Sequence, residues 1–276
     1  MSGSPRGSSA SETTGDTMDL GIAGRRALVC ASTGGLGLAC AEALAREGVH
    51  VFMNGRDADR LAAAVRGVAE RTGGGVSGVA ADVTTADGRA LLMDALPDPD
   101  ILVTNNAGPP PSPLAETSRE MWLDALESTM LAQLDLISAT LGPMRERGFG
   151  RIVNITSAMV TTPDPRMILS AGPRAGLTAV MKGVSREVIA DGVTINNLLP
   201  ERFDTPRQEF MAHRIAGENG LSYEQARVRQ VEMMVARRLG RPAEFGATCA
   251  FLCGVDAGFI TGQNLHLDGG NYPALI

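Results

Sequence analysis

Short apolar runs alternate with longer stretches of helical periodicity from about residue 19 to the end of the chain. "RALVCA" (26–31), "HVFMNG" (50–55), "VSGVAADV" (76–83), "ILVTNNAG" (101–108), "GRIVNITS" (150–157) and "VTINNLLP" (193–200) are short, apolar and bounded by turn residues, which predicts strands. "NLHLDGG" (264–270) adds a last short one. Between them apolar positions recur with helical spacing, as in 35–47 and in "DADRLAAAVRGVAERTG" (57–73). Strands separated by helices of this length imply parallel pairing and right-handed crossovers. The expected fold class is α/β: one doubly wound domain over 19–276, its mostly parallel seven-stranded sheet flanked by helices.

Composition changes this picture little. The 276 residues are 44% apolar and 20% charged, ordinary for a chain that buries a full core. Net charge is −6 with the basic residues dispersed, which argues against nucleic acid as a partner. No apolar run approaches the ~18 residues needed to span a bilayer. Residues 1–18 are polar and lack the apolar segment of a signal peptide, so a disordered tail and a soluble, cytoplasmic protein are expected. Cys249 and Cys253 stand four apart in an apolar helical run and read as packing residues. His50, His213 and His266 match no ligand spacing, so no metal site is expected.

In a doubly wound sheet, ligands lie beyond the carboxyl ends of the strands. "CASTGGLG" (30–37) follows the first strand and opens a helix. Its glycines would let the backbone approach a pyrophosphate, with the helix N-terminus offering free N–H groups. The same glycines would also serve a plain strand–helix turn. Asp82 after the third strand and "NNAG" (105–108) after the fourth favour the first reading.

Taken together, these stretches resemble the short-chain dehydrogenase/reductase family, close to its ketoacyl-carrier-protein reductase branch. The resemblance covers about 19–271 and includes "ADV", "NNAG", "RIVNITS", "INNLLP", "GRPAEFGATCAFL" and "ITGQNLHLDGG". It implies a Rossmann-type fold and a dinucleotide held at the turn by Ala31, Ser32, Thr33, Gly35, Leu36 and Gly37. Asp82 and Val83 would meet the adenine, Asn106, Ala107 and Gly108 would line the middle, and Thr205 in "PERFDTPR" would contact the nicotinamide carboxamide. The turn departs from the family in having Ala31 for its first glycine and Cys30 for the preceding threonine. NAD-dependent members carry an acid after the second strand for the ribose 2′-OH. Here Gly55 stands in that place and Arg56 follows, which suits a 2′-phosphate. NADP(H) is therefore expected ahead of NAD(H). The plainer reading makes Arg56 a solvated residue and Asp57 the cap of the next helix.

The family's catalytic pattern is a serine ending the fifth strand, a tyrosine thirteen residues on and a lysine four after that. Ser157 fits the first place, but Ser170 and Arg174 occupy the other two. Tyr223 and Tyr272, the sole tyrosines, lie elsewhere, and Thr129 replaces an asparagine often found seven residues after the tryptophan, here Trp122. A serine hydroxyl is a far weaker acid than a phenol, and arginine stays charged. Losing a positioned general acid costs ~10²–10⁴ in rate. Arg174 could take over the ribose hydroxyls and polarise a carbonyl or bind a carboxylate. Ser170 could relay a proton through water, cap its helix with Pro173 in the first turn, or both. Glu201, where the family usually has glycine, could donate a proton or pair with Arg202.

The stretch 207–238 reads as a lid-like insertion in which Phe210, Met211, Met233 and Met234 face substrate or pack the lid down. "NNAGPPPSPL" would give the pocket a stiff wall. Arg166 and Arg174 hint at a small carboxylated substrate, an acyl thioester being the family's alternative. The expected function is NADP(H)-dependent carbonyl reduction of a ketoacyl or keto-acid substrate by altered proton transfer, in a homotetramer or homodimer. Non-redox chemistry (dehydration, isomerisation or retro-aldol cleavage) and cofactor binding without turnover are the alternatives.

Overall fold

The computed structural model describes residues 19–275; the tail expected at 1–18 lies outside them. Strands and helices alternate as β1 (Arg26–Val29), α1 (Gly35–Arg46), β2 (His50–Gly55), α2 (Ala58–Thr72), β3 (Val76–Ala80), α3 (Ala86–Ala95) and β4 (Ile101–Thr104). There follow α4 (Arg119–Leu126), α5 (Ala132–Arg147), β5 (Gly150–Ile155), α6 (Ile168–Val188) and β6 (Val193–Pro200). The last elements are α7 (Pro206–Asn219), α8 (Tyr223–Glu232), α9 (Pro242–Cys253) and β7 (Asn264–Leu267). The sheet order is β3-β2-β1-β4-β5-β6-β7, with every pair parallel. The expected mostly parallel sheet is thus parallel throughout. Strand order reverses between β1 and β4, which opens a crevice at the carboxyl edge there.

The near-continuous apolar runs follow from burial on both faces. Ala27, Val29, Ile101 and Val103 point to one side, where α1 and α9 pack through Cys40, Leu44, Phe245, Cys249 and Cys253. Leu28, Leu102, Ile152 and Ile195 point to the other, against Leu136 and Ile137 of α5 and Leu177 and Met181 of α6. Period-two alternation thus splits each strand between two cores. Cys249 and Cys253 are fully buried packing residues.

Between α4 and α5 lies one π turn, Glu127–Leu131. Thr129 sits in it, buried, and its hydroxyl donates to the Ala125 carbonyl at 2.6 Å. The stretch 207–238 forms mainly two helices, α7 and α8, with Gln230 Nε2 bonding back to Gln208 Oε1 at 3.0 Å. Among the described residues no helix is long and apolar enough to cross a membrane.

Candidate active site

The carboxyl ends of the central strands and the N-termini of α1, α6 and α7 enclose one cleft of about 710 Å³. At one end, Gly34, Gly35 and Leu36 turn the start of α1 towards it. Ala31 adopts φ 43°, a left-handed conformation that costs a side-chain-bearing residue roughly 1–2 kcal/mol. Hydrogen bonds from behind hold it there. Asn54 Oδ1 accepts from the Ala31 N–H at 3.1 Å, while Asn54 Nδ2 donates to the Ala81 and Val79 carbonyls at 2.9 and 3.2 Å. Asn105 Nδ2 donates to the Ala31 carbonyl at 3.2 Å.

Ala31, Thr33, Gly35, Leu36, Arg56, Asp82, Val83, Asn106, Ala107 and Gly108 line the cleft as the sequence led us to expect. Ser32 and Gly37 do not reach it. The buried Ser32 hydroxyl donates to the Val29 carbonyl at 2.9 Å, and a Cβ on Gly37 would stand 2.6 Å from the Ala31 carbonyl oxygen. Both shape the turn from behind.

Gly55 faces Thr33 so closely that a Cβ there would lie 2.3 Å from the threonine methyl. A side chain at this position would require the Thr33 methyl to move. Arg56 is 72% exposed and 3.7 Å from the Asp82 carboxylate. Arg60, in the first turn of α2, lines the same end and carries no motif that would have revealed it. Asp57 does cap α2, accepting the Arg60 N–H at 2.9 Å, so capping and a cleft-lining Arg56 coexist. Burial would raise the Asp82 pKa, but hydrogen bonds from Thr84 and the charge of Arg56 hold it below the usual carboxylate range.

At the other end, Ser157 follows β5, accepts the Met159 N–H at 3.2 Å and lines the cleft. Ser170 and Arg174 line it too, 5% and 7% exposed. Arg174 Nη1 donates to Ser170 Oγ at 2.8 Å. Ser170 is not the helix cap. α6 begins at Ile168, with Met167 in the cap position and making no side-chain cap bond. Ser170 therefore stands third in the helix and Pro173 sixth, beyond the first turn. The start is fixed from outside: the Ser112 N–H donates to the Arg166 carbonyl at 2.7 Å and the Met167 N–H to the Asp164 carbonyl at 2.8 Å.

Burial, with Arg207 nearby, pushes Arg174 down to about 10, so it stays cationic at neutral pH. Arg207, second in α7, donates to the Pro109 carbonyl at 3.0 Å, and burial and Arg214 lower its pKa. Glu201 lines the cleft and is ion-paired with Arg202, the plainer of its two expected roles. Thr205 lines it as well, its hydroxyl donating to the Phe203 carbonyl at 3.2 Å. Met211 and Met233 face the cleft, whereas Phe210 is exposed and Met234 is buried outside it. Neither tyrosine lines the cleft: Tyr223 lies against His213 and Tyr272 stacks on His266.

Residues 30–271 match the family described as enoyl-(acyl carrier protein) reductase. The chain is 29% identical over 257 residues to a 3-oxoacyl-(acyl-carrier-protein) reductase of Vibrio cholerae, covering 92% of this chain and 99% of that one. It is 31% identical over 253 residues to a gluconate 5-dehydrogenase of Gluconobacter oxydans, covering 90% and 95%. Its fold superposes on that of an L-sorbose reductase from Gluconobacter frateurii, solved with NADPH and L-sorbose. The TM-score is 0.87 at 31% identity, over 94% of this chain and all of the other. A parallel sheet that reverses at β1/β4, a glycine turn at the reversal and relatives matched over nine-tenths of the chain converge on one assignment. The chain belongs to the short-chain dehydrogenase/reductase family of enzymes.

Proposed function

We propose that the protein is an NADP(H)-dependent oxidoreductase that reduces a carbonyl through a serine–arginine pair instead of tyrosine and lysine. The observation that carries this reading is the 2.8 Å hydrogen bond from Arg174 to Ser170, in the cleft that Ser157 also lines. The cleft suits a dinucleotide: its turn exposes backbone at a helix N-terminus, and Arg56 and Arg60 supply cations where a 2′-phosphate would lie. The L-sorbose reductase of similar fold was solved with NADPH, which supports the same choice. When bound, the dinucleotide supplies or accepts a hydride at the nicotinamide. Asp82, Val83 and Asn106 to Gly108 would hold its adenosine and ribose parts, and Thr205 its carboxamide.

Ser170 Oγ accepts from the guanidinium, so its own hydrogen remains available to a carbonyl oxygen or a water in the cleft. Ser157 offers a second hydroxyl donor, and Arg174 stabilises negative charge developing on that oxygen. Ser170 gives its proton to that oxygen and takes one in turn from a water in contact with solvent. The test is a panel of ketones, ketoacyl thioesters and keto acids with NADPH, followed at the nicotinamide absorbance. On the best substrate, Ser170→Ala is expected to lower kcat by ~10²-fold, the size of one lost donor to an oxyanion, with NADPH affinity unchanged. A change of less than threefold in kcat would remove Ser170 from the proposed chemistry.

The absence of a phenol from the cleft favours a second reading, in which a bound dinucleotide accompanies dehydration, isomerisation or retro-aldol cleavage. Substrate consumption with no change in nicotinamide absorbance would select it. A folded protein that binds NADPH and turns over nothing would select cofactor binding alone. We also assign the protein to a homotetramer or homodimer that pairs through α5 and α6, where Leu131 in the π turn just before α5 (43%) and Val180 in α6 (40%) stand exposed. Light scattering should give a multiple of 28.8 kDa; a monomer across micromolar concentrations would refute the assembly.

A further inference from the structure

Four arginines that line the cleft have no carboxylate partner among the described residues; Arg60 and Arg229 are exposed to solvent, whereas Arg174 is buried and Arg207 half-buried. Arg174 comes from α6 and Arg207 from α7, and they approach adjacent residues, Gly108 and Pro109. Arg207 Nη2 lies 3.0 Å from the Pro109 carbonyl, and Arg174 Nη2 would lie 3.4 Å from a Cβ placed on Gly108. Their charged neighbours at this end are already matched: Arg166 with Asp164, Arg202 with Glu201 and Arg214 with Glu218. The Arg207 guanidinium also lies over the Phe210 ring, 5.6 Å from its centroid. A desolvated cation without a counter-charge is costly, and the hydroxyls and carbonyls that touch these two groups carry no charge. The missing partner is therefore an anion from outside the chain.

We propose that Arg174 and Arg207 form a binding site for a carboxylate of the substrate, placed beside the carbonyl that Ser157 and Ser170 address. The inference rests on the proposed position of that carbonyl. Guanidinium is the group that matches a carboxylate through paired N–H donors, and glycine at 108 leaves the space open in front of Arg174. The substrate class that follows is a keto acid with its carboxylate free, rather than an ester or thioester. The diphosphate of the dinucleotide is the other source of oxyanions, and the experiment separates the two.

Acetoacetate and benzoylformate, each against its methyl ester, are titrated calorimetrically into protein saturated with NADP⁺, so that binding is read without turnover. At least one acid is expected to bind ~10-fold or more tightly than its ester. Arg207→Met and Arg207→Gln should reduce that ratio to below about threefold with NADPH affinity intact, while Arg207→Lys keeps most of it. Equal binding of acid and ester in both pairs would overturn the proposal. So would a tenfold loss of NADPH affinity in both neutral variants with the acid-to-ester ratio unchanged, which assigns the site to the diphosphate. Acid preference without any reduction on supplying NADPH would uphold the carboxylate site and refute the reductase reading. Reduction of neutral ketones with no acid preference would do the reverse.

Discussion

Arg174→Met is expected to raise the melting temperature of the ligand-free protein by roughly 5 °C while weakening the ligands that Arg174 serves. The guanidinium is buried, and burial lowers its pKa to about 10. A base with a lowered folded pKa carries its penalty at every pH below that value and loses it as pH rises beyond about 10 towards the ordinary arginine range. At neutral pH the penalty is about 3 kcal/mol, offset by about 1.5 kcal/mol for the charged hydrogen bond to Ser170. Methionine replaces the aliphatic stem at similar volume. The net gain of about 1.5 kcal/mol corresponds to several degrees for a domain of this size. Calorimetry at pH 7 decides it, and a melting temperature lowered by more than 3 °C would contradict it. The parent should also gain more than the variant from bound NADP⁺, because ligand binding to the native state adds directly to its stability.

The double change Arg56→Ala with Arg60→Ala is expected to weaken NADPH by ~10–100-fold and NADH by less than threefold. Hydrogen bonds to a charged partner contribute ~1.5–3 kcal/mol each, and exposure of Arg56 keeps the effect near the lower end. The discrimination is one-sided because Gly55 leaves no carboxylate for a free 2′-OH. Titration of nicotinamide fluorescence measures both affinities. Equal affinity of the parent for NADPH and NADH would remove the 2′-phosphate from this end of the cleft.

The centre of the sheet was legible because strands such as β1, β4 and β5 are buried on two faces and so read as apolar runs. Ser157 was legible because a strand end fixes its position. The start of α6 was not. The sequence offers Ser170 as a polar cap, but backbone bonds from Ser112 and Asp164 begin the helix at Ile168. Ser112 is more than fifty residues away, and the Asp164–Met167 turn is a backbone bond that no side-chain capping pattern announces. Arg174 was placed by spacing within one helix, whereas Arg207 reaches it from another helix, a proximity that no linear pattern encodes. Asn54 was missed for the same reason: its side chain works between strands.

Asn54 also bears on how the protein ages. It precedes Gly55, the pairing in which a backbone nitrogen most readily attacks the neighbouring side-chain amide to leave aspartate. Here Gly55 is held in the β2–β3 ladder opposite Ala80, and the amide is fixed by its three hydrogen bonds, so the folded chain withholds the geometry for attack. Were that edge to open and the lesion form, refolding would press a carboxylate against the carbonyls of Val79 and Ala81, with no donor to satisfy them. The strained Ala31 turn would lose its orderly backing while both cores kept their packing. Stored protein damaged in this way should remain folded and lose dinucleotide affinity first.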